Sequence, residues 1–571
     1  MGRNKSALLV SHENDLPFLK KNFPGHEFIA QQEFLLDLKD IKFETCLNFF
    51  CVSDGSSKEL SEIVYLIKNW FRDESGQDIR QNEGISIGPS LGQIFLVAFA
   101  YFHKNFFAIQ RVLEKYEKLY ISENVTFSVK VAASFFSNRV SFFNPGHTET
   151  YFQKSSYKEG LMFQYPNEHK FSKWGRLIQK PFLFVTRRKK HLNLFDWTTK
   201  EISKRDDVLA QNSIYPWKGY YFRKKKRTFE EAEKIFPSIL DENYINVAFV
   251  KSSLERKGIF WDQRLIEGCV KIFKYYYEKN RSFLIHSYSL YKELFSYYRP
   301  KLVSIPGEAH YAYVLALQIA RKMGIKSILI VDGYPTVWAP HIIYKDETGK
   351  KTLFDYYAGF GPGGVDHFAS MGILKRQIFQ MAPPLISSLK NLKVNQENNK
   401  ALIMFPYPKN GNPQTFWDRR REYVKEVYKV LDKGHFDQIG IKIKPGMPNE
   451  ANEDKDALLN IFEKEIAEGL VILEEGPMYK CIARYRVLVS GLSTTLFEAK
   501  FLDIPFYIYE PSYGGVTDKE ISMGCFYSRD EVARNIVELE ENINKNRSVK
   551  VQKTYLLEGD DLLSFDFGKL Y

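Results

Sequence analysis

Two strand-like runs in the last third of the chain end in residues suited to a phosphorylated ligand. Ile441-Lys442-Ile443-Lys444-Pro445-Gly446 reads as a strand stopped by a Pro-Gly turn. Val487-Leu488-Val489-Ser490-Gly491-Leu492-Ser493-Thr494-Thr495 reads as a strand that opens through small hydroxyl residues into the helix Leu496-Phe497-Glu498-Ala499-Lys500. Hydroxyls and free N–H groups at such a helix start attract a phosphate, helped by the helix dipole. Lys444 adds a mobile point charge, and Glu498, one turn in, stands where a ribose or sugar hydroxyl could be read. Each residue also has a plainer explanation: Ser493–Thr495 as an N-cap and Glu498 as its capping-box partner. Their combination in strand order favours the ligand.

Between these runs lies Glu474-Glu475-Gly476-Pro477-Met478-Tyr479, and after them Asp503-Ile504-Pro505. The whole pattern resembles bacterial surface-polysaccharide glycosyltransferases. It is similar to the capsule Kdo and sialic acid transferases and to the CDP-glycerol glycerophosphotransferases of teichoic acid synthesis. In that group an "HP" turn and a later Ser/Thr-rich helix start hold a cytidine nucleotide and its phosphate. Here Lys444 stands at the histidine position, while Pro445 and the Ser493–Thr495 turn match. A weaker likeness runs from Leu302 to Gly333, where relatives often read "GIPT…QHG" and this chain has Gly324-Ile325-Lys326-Ser327 and Asp332-Gly333.

The resemblance implies a two-lobed (GT-B) glycosyltransferase, inverting and metal-independent. It would move a sugar from a nucleotide-activated donor, CMP-linked among the candidates, to a growing cell-surface polysaccharide or lipid-linked glycan acceptor. The implied donor-binding set is Lys444, Pro445, Gly446, Glu475, Ser493, Thr494, Thr495 and Glu498. An inverting transfer needs a base from the other lobe to deprotonate the acceptor, and Glu308, His310 and Asp332 follow strands that would face the cleft. Glu308 equally suits a helix cap, His310 a surface histidine and Asp332 a turn before Gly333. Polyol-phosphate transfer and nucleotide-sugar epimerisation fit the same architecture. An inactive two-lobed polysaccharide- or partner-binding protein is the reading from another class, and the missing histidine before Pro445 is its cue.

These residues need an α/β scaffold, and short apolar runs alternate with amphipathic stretches as βαβ units require. The first block holds a strand Ser6–Ser11, a helix near Leu16–Asn22, the run Glu44–Val52, and helices near Leu60–Phe71 and Leu91 to Tyr116. The glycines and serines from Gly84 to Gly92 open a helix toward a ligand or merely cap it. Alternation resumes with Ile245–Lys251, a helix around Gln263–Glu278, a strand Ser282–Ser287, Lys301–Ile305, a helix from Ala309 to Met323, and Lys326–Asp332. Gly359–Gly364 marks a loop, with a helix near Ala369–Gln380 after it. Beyond the linker Asn391–Asn399 come Ala401–Phe405, helix Trp417–Leu431, Gln438–Lys444, helix Asp456–Ala467, Val471–Glu474, Val487–Ser490, helix Thr495–Phe501 and Pro505–Tyr509.

The expected fold class is therefore α/β: two Rossmann-like lobes with an irregular insertion in the N-terminal half. Residues 1–134 form an N-terminal α/β segment and 135–240 an irregular, basic insertion or subdomain. Residues 241–390 complete the acceptor-side lobe, and 400–571 form the nucleotide-sugar-binding lobe, with the last helices after Arg529 packing across or beside the lobes.

Composition narrows the setting. The formal charge is 81 − 69 = +12, partly concentrated in Arg187-Arg188-Lys189-Lys190 and Arg223-Lys224-Lys225-Lys226-Arg227. No nucleic-acid signature surrounds these runs; they read as solvated loops or as a contact with the cytoplasmic leaflet of the inner membrane. The 5 cysteines are scattered with no C-x-x-C pair, as suits a reduced compartment without a zinc site. The most apolar window, Ile94 to Ile109, is interrupted by His103 and Lys104 and is too short to span a bilayer. The expectation is a cytoplasmic protein, at most peripheral to the membrane. No cofactor is expected, nor a metal: the one Asp-x-Asp, Asp454-Lys455-Asp456, sits in a polar helix start. Walker A and H-E-x-x-H motifs are absent.

Overall fold

The computed structural model describes residues 6–570 apart from 12, 31–41, 48–55, 74, 76–80, 147–190, 196–207, 213–225, 239–245, 306–310, 331–353, 384–388, 390–391, 393, 395–398, 405–419, 435, 444–447, 477, 494, 512–520, 522–525 and 562–564. Three parallel sheets organise them. The first contains β1 (Ser6–Val10), β2 (Glu27–Ala30), β3 (Phe43–Cys46), β6 (Lys118–Ser122) and β7 (Val140–Phe143) in the order β3-β2-β1-β6-β7. A small antiparallel hairpin, β4 (Gln81–Asn82) and β5 (Ile85–Ser86), stands apart from it.

The second sheet contains β8 (His191–Phe195), β9 (Val208–Asn212), β10 (Leu302–Ile305), β11 (Lys326–Leu329), β12 (Tyr356–Phe360), β13 (Ile378–Ala382) and β20 (Asp560–Asp561). Its order is β20-β13-β12-β11-β10-β8-β9. The third contains β14 (Lys400–Met404), β15 (Gln438–Lys442), β16 (Val471–Glu474), β17 (Val487–Ser490), β18 (Phe506–Tyr509) and β19 (Val532–Ala533), ordered β16-β15-β14-β17-β18-β19.

Strand alternation places the cores. Side chains one residue apart point to opposite faces, so Val303, Ile305, Leu329 and Tyr357 join the cluster shared with the first sheet and its helices. Leu302, Ile328, Ala358, Phe360 and Met381 turn the other way, into a cluster shared with Leu402, Leu488, Phe506 and Ile508 of the third sheet. On the far face of that sheet, Ala401, Ile403, Ile439, Ile441, Val487 and Val489 pack under the helix Arg420–Lys433. Burial on both faces explains why these strands read as continuous apolar runs. The parallel, Rossmann-like α/β architecture expected from the sequence is the one observed.

Sheet membership cuts across the stretch read as irregular: within 135–240, β7 joins the first sheet and β8 and β9 join the second. After Arg529 the chain adds β19 and the helix Ile536–Asn544 to the third unit and then crosses back. The helix Lys553–Leu557 packs on both Gly361–Ser370 and Thr495–Phe501, and β20 pairs with β13.

Three local expectations are corrected. Ile245–Lys251 is not a strand; Asn246 accepts from the Phe249 N–H and caps a helix Val247–Glu255. The expected helix–strand pair Gln263–Glu278 and Ser282–Ser287 is one helix, Gln263–Tyr298, capped by Asp262. The apolar run Phe283-Leu284-Ile285 looks strand-like alone. However, Tyr276, Tyr277, Asn280, Phe283, Leu284, Ser287, Tyr288 and Tyr291 are all buried at helical spacing, with no Gly or Pro to interrupt them. Gly359–Gly364 is the end of β12 and the start of the helix Gly361–Ser370, so the helix expected at Ala369–Gln380 gives way to β13. Gly361 has φ +64°, and a Cβ there would lie 2.4 Å from the Leu556 carbonyl carbon of the returning segment.

Candidate functional site

In chain order the third sheet runs 3-2-1-4-5-6, reversing between β14 and β17. Connections leaving those two strands part to opposite faces, and the crevice beyond their carboxyl ends is where open α/β sheets take ligands. Ser490, Gly491, Leu492 and Ser493 leave β17 at this reversal and enter the helix Thr495–Phe501. The second sheet reverses in the same way between β8 and β10.

The turn after β17 is held from beneath. Glu510, only 1% exposed just past β18, accepts the Leu492 N–H at 3.0 Å. A Cβ on Gly491 would lie 3.2 Å from the same carboxylate. Ser493 Oγ accepts from the Thr495 N–H at 3.3 Å and lies 3.0 Å from Thr495 Oγ1. Ser493 thus serves as the cap that the plain reading required. In that hydroxyl pair one proton bridges the two oxygens, so the other hydroxyl keeps its proton for a further acceptor.

Glu498 is 7% exposed and makes no side-chain hydrogen bond to a described residue. Burial pushes its carboxyl up to about 7, so the group is partly protonated near neutrality and can both give and accept a hydrogen bond from a hydroxyl.

At the carboxyl end of β15, Lys442 is 3% exposed and donates to the Ile443 carbonyl at 3.0 Å and the Glu474 carbonyl at 3.3 Å. Burial lowers its ammonium pKa. The Glu474 carboxylate is buried and accepts from Tyr485 and Arg484. Glu475, expected in the donor set, is instead exposed at the end of the edge strand β16, bonded to Lys455 at 2.6 Å. That hydrogen bond holds its carboxyl below the usual range. With β15 between β16 and β14, Glu475 stands about 10 Å from the reversal.

Lys444, Pro445, Gly446 and Thr494 lie outside the described residues, as do Glu308, His310 and Asp332. Their chain positions are fixed by described neighbours. Lys444 follows Ile443 at the end of β15, Glu308 and His310 belong to the connection from Ile305 to Tyr311, and Asp332 comes shortly after β11. The structure thus brings Ser493, Thr495 and Glu498 together at the reversal and leaves Glu475 apart. Glu474, Lys442 and Glu510 were missed. Glu510 carried one usable signal, an acid directly after the apolar strand Phe506–Tyr509.

In the segment from Gly84 to Gly92, Ser86 holds the N-cap position of the helix Ile87–Lys115 without a side-chain cap hydrogen bond. Gln318 accepts the Ser86 N–H and donates to the Ser86 carbonyl at 3.1 Å and to Ser90 Oγ at 2.9 Å. Among the described residues, no group of three or more His, Cys, Asp or Glu could hold a metal ion. Among them, too, no helix is long and apolar enough to cross a membrane.

The fold defines the chain as an α/β protein of Rossmann-like units, with a strand-order reversal in its third sheet. No protein-family model and no curated protein matches the chain. Among solved structures it is similar to the UDP-GlcNAc 2-epimerase from Neisseria meningitidis bound to UDP-GlcNAc, at 10% identity and a TM-score of 0.36, over 64% of this chain and 95% of that one. It is also similar to the wall teichoic acid polymerase TagF, at 13% identity and a TM-score of 0.26, over 47% of this chain and 78% of that one. A third is the lipopolysaccharide outer core galactosyltransferase WaaB, at 15% identity and a TM-score of 0.26, over 40% and 62%.

Proposed function

We propose that the protein is a glycosyltransferase of the two-lobed GT-B type, inverting and metal-independent. It moves a sugar from a nucleotide-activated donor to a growing cell-surface polysaccharide or a lipid-linked glycan, at the cytoplasmic face of the inner membrane. The observation that carries this reading is the placement of Ser493, Thr495 and Glu498 at the strand-order reversal of the third sheet.

Residues 400–571 are the donor side in this reading. The free hydroxyl proton of the Ser493–Thr495 pair and the Thr494 N–H receive the donor phosphate. Lys444, which precedes Pro445 and Gly446 in the chain, neutralises its charge. Glu498 bonds a ribose or sugar hydroxyl. Residues 241–390 carry the acceptor side. As an acceptor hydroxyl attacks the anomeric carbon, the bond to the nucleotide phosphate breaks. The hydroxyl proton passes to a base among Glu308, His310 and Asp332, and the electron pair leaves on the phosphate beside Lys444.

The test is a panel of CMP-, CDP-, UDP- and GDP-linked donors, scored by nucleotide release with and without a glycan acceptor and by thermal protection of the protein. Acceptor-dependent release with one base is expected. Release from CDP-glycerol alone would move the assignment to polyol-phosphate transfer, and acceptor-independent conversion of the sugar to epimerisation. Neither release nor protection with any donor would refute a donor site.

A further inference from the structure

A polar cleft of about 200 Å³ lies between the turn Arg529–Glu531, which enters the edge strand β19, and the last turn of the helix Ile536–Asn544. That helix leaves from the carboxyl end of β19, so its last turn comes back to the amino end, where the entering turn also stands. The strand-order reversal lies beyond the carboxyl ends of the same parallel sheet, so the cleft is separate from Ser493 and Glu498. Its innermost lining residue is Asn542, 6% exposed, whose side-chain amide makes no hydrogen bond among the described residues. A buried amide without partners costs stability, and a bound molecule or water is what supplies them. After the helix the chain turns sharply: Asn546 has φ +50°, and the Arg547 N–H donates to the Asn542 carbonyl at 2.7 Å. This pins the Arg547 backbone beside Asn542, and the Arg547 guanidinium, which also lines the cleft, forms no hydrogen bond or ion pair among the described residues.

The other polar groups of the cleft are engaged. Arg529 donates from Nη1 to the Val532 carbonyl at 2.9 Å. Glu538 accepts from the Arg534 N–H at 2.8 Å and from Asn535 Nδ2 at 2.7 Å. Glu541 accepts from Lys545 at 2.8 Å, a bond that holds its carboxyl below the usual range. The Ser528 hydroxyl holds the Asp530 carboxyl below its usual range too, and the charges of Lys550 and Arg547 add to the effect. The bonds left wholly open are those of the Arg547 guanidinium and the Asn542 amide, and they select the ligand. A guanidinium offers a parallel pair of N–H groups to a carboxylate. The amide beside it both donates and accepts, as a hydroxyl next to that carboxylate requires. Asp530, Glu538 and Glu541 line the same cleft, so a doubly charged phosphate would meet more repulsion than a single negative charge. Among the described residues Val532 is the one apolar side chain in the lining, which gives an aliphatic or aromatic acid little to pack on.

We infer that this cleft binds a singly charged, hydroxylated carboxylate of sugar size, with Arg547 pairing the carboxylate and Asn542 bonding both carboxylate and hydroxyl. The site goes beyond the transfer reaction proposed above and needs no donor. The experiment titrates the full chain with glucuronate by calorimetry and follows its thermal unfolding, with glucose and inorganic phosphate at matched ionic strength as comparators. Glucuronate should bind and raise the parent's Tm, and the two comparators should bind at least about tenfold more weakly. Arg547→Gln, at an exposed position, should weaken glucuronate binding about ten- to a hundredfold. Asn542→Ala should weaken it as well, yet without ligand it should unfold no earlier than the parent, because it removes a buried amide that has no partner. No glucuronate binding by the parent would overturn the inference, as would equal binding of glucose or phosphate, or parent-like binding by Arg547→Gln. An Asn542→Ala protein that unfolds well before the parent would overturn it too, by showing that the amide is satisfied within the fold. Nucleotide release by Arg547→Gln should equal the parent's, so failure of this site and failure of the donor site are read separately.

Discussion

Replacing Glu498 by Gln tests the crevice through stability as well as activity. The carboxyl has an ordinary value of 4.5 and is raised to about 7 by burial in the folded protein. The folded state therefore binds this proton more tightly than the unfolded chain does. The resulting stabilisation is fully present below the unfolded value and is lost as pH rises through the folded one. At 1.36 kcal/mol per pH unit, the interval corresponds to about 3 kcal/mol. The group is nearly fully buried, and among the described residues no side chain bonds it to offset that burial. Gln keeps the shape and cannot ionise, so it removes the pH dependence and leaves the packing.

The assay is thermal unfolding of parent and Glu498→Gln from about pH 5 to about pH 8. The parent should lose more stability than the variant across that range, by about 6–12 °C in Tm for a unit the size of the third. At the alkaline end the variant should be the more stable of the two. Parallel curves would refute the buried, proton-holding Glu498 and, with it, the hydroxyl-reading role. A donor that protects the parent should protect Glu498→Gln nearly as well, because an amide still bonds a hydroxyl, and should protect Glu498→Ala less.

Three further outcomes are expected. Lys444→Ala should weaken nucleotide binding about ten- to a hundredfold in calorimetry, while Glu308→Gln or Asp332→Asn should leave binding near the parent's and lower turnover; unchanged binding by the first would misplace the pocket. Gly440→Ala puts a Cβ 2.2 Å from the Tyr485 hydroxyl and should cost about 1–3 kcal/mol of stability, read as a lower urea midpoint; an unchanged midpoint would show that Tyr485 can move. Tyr485→Phe removes a donor from the buried Glu474 carboxylate and should cost about 1–3 kcal/mol, with a midpoint equal to the parent's as the refuting result.

The donor-side strands were legible because each is a buried apolar run ended by residues that break it, such as Ser490-Gly491 after Val487–Val489. Helix starts were less legible. Asn246 and Asp262 act as caps, but the residues after them include Val and Ile runs that also suit strands. Only the spacing of buried side chains over the full Gln263–Tyr298 helix separates the two possibilities. The stretch 135–240 was not legible because β8 and β9 gain their meaning from β10, a partner about a hundred residues later in the chain.

The same distinction runs through the site. Ser493 and Thr495 announce themselves because capping is local: donor and acceptor are two residues apart. Glu510 acts on Leu492 across eighteen positions, and that contact exists only because β18 lies beside β17. Glu475 shows the converse. Its sequence neighbourhood matched a donor-binding pattern, but strand order places it at the sheet edge, where Lys455 takes the carboxylate. The cap and the phosphate site are not rival explanations of Ser493. The cap uses an acceptor lone pair of its hydroxyl, whereas a phosphate needs a donor, and the Ser493–Thr495 pair keeps one hydroxyl proton in reserve. The geometry that satisfies the helix start is therefore also the geometry that leaves a hydroxyl proton unspent.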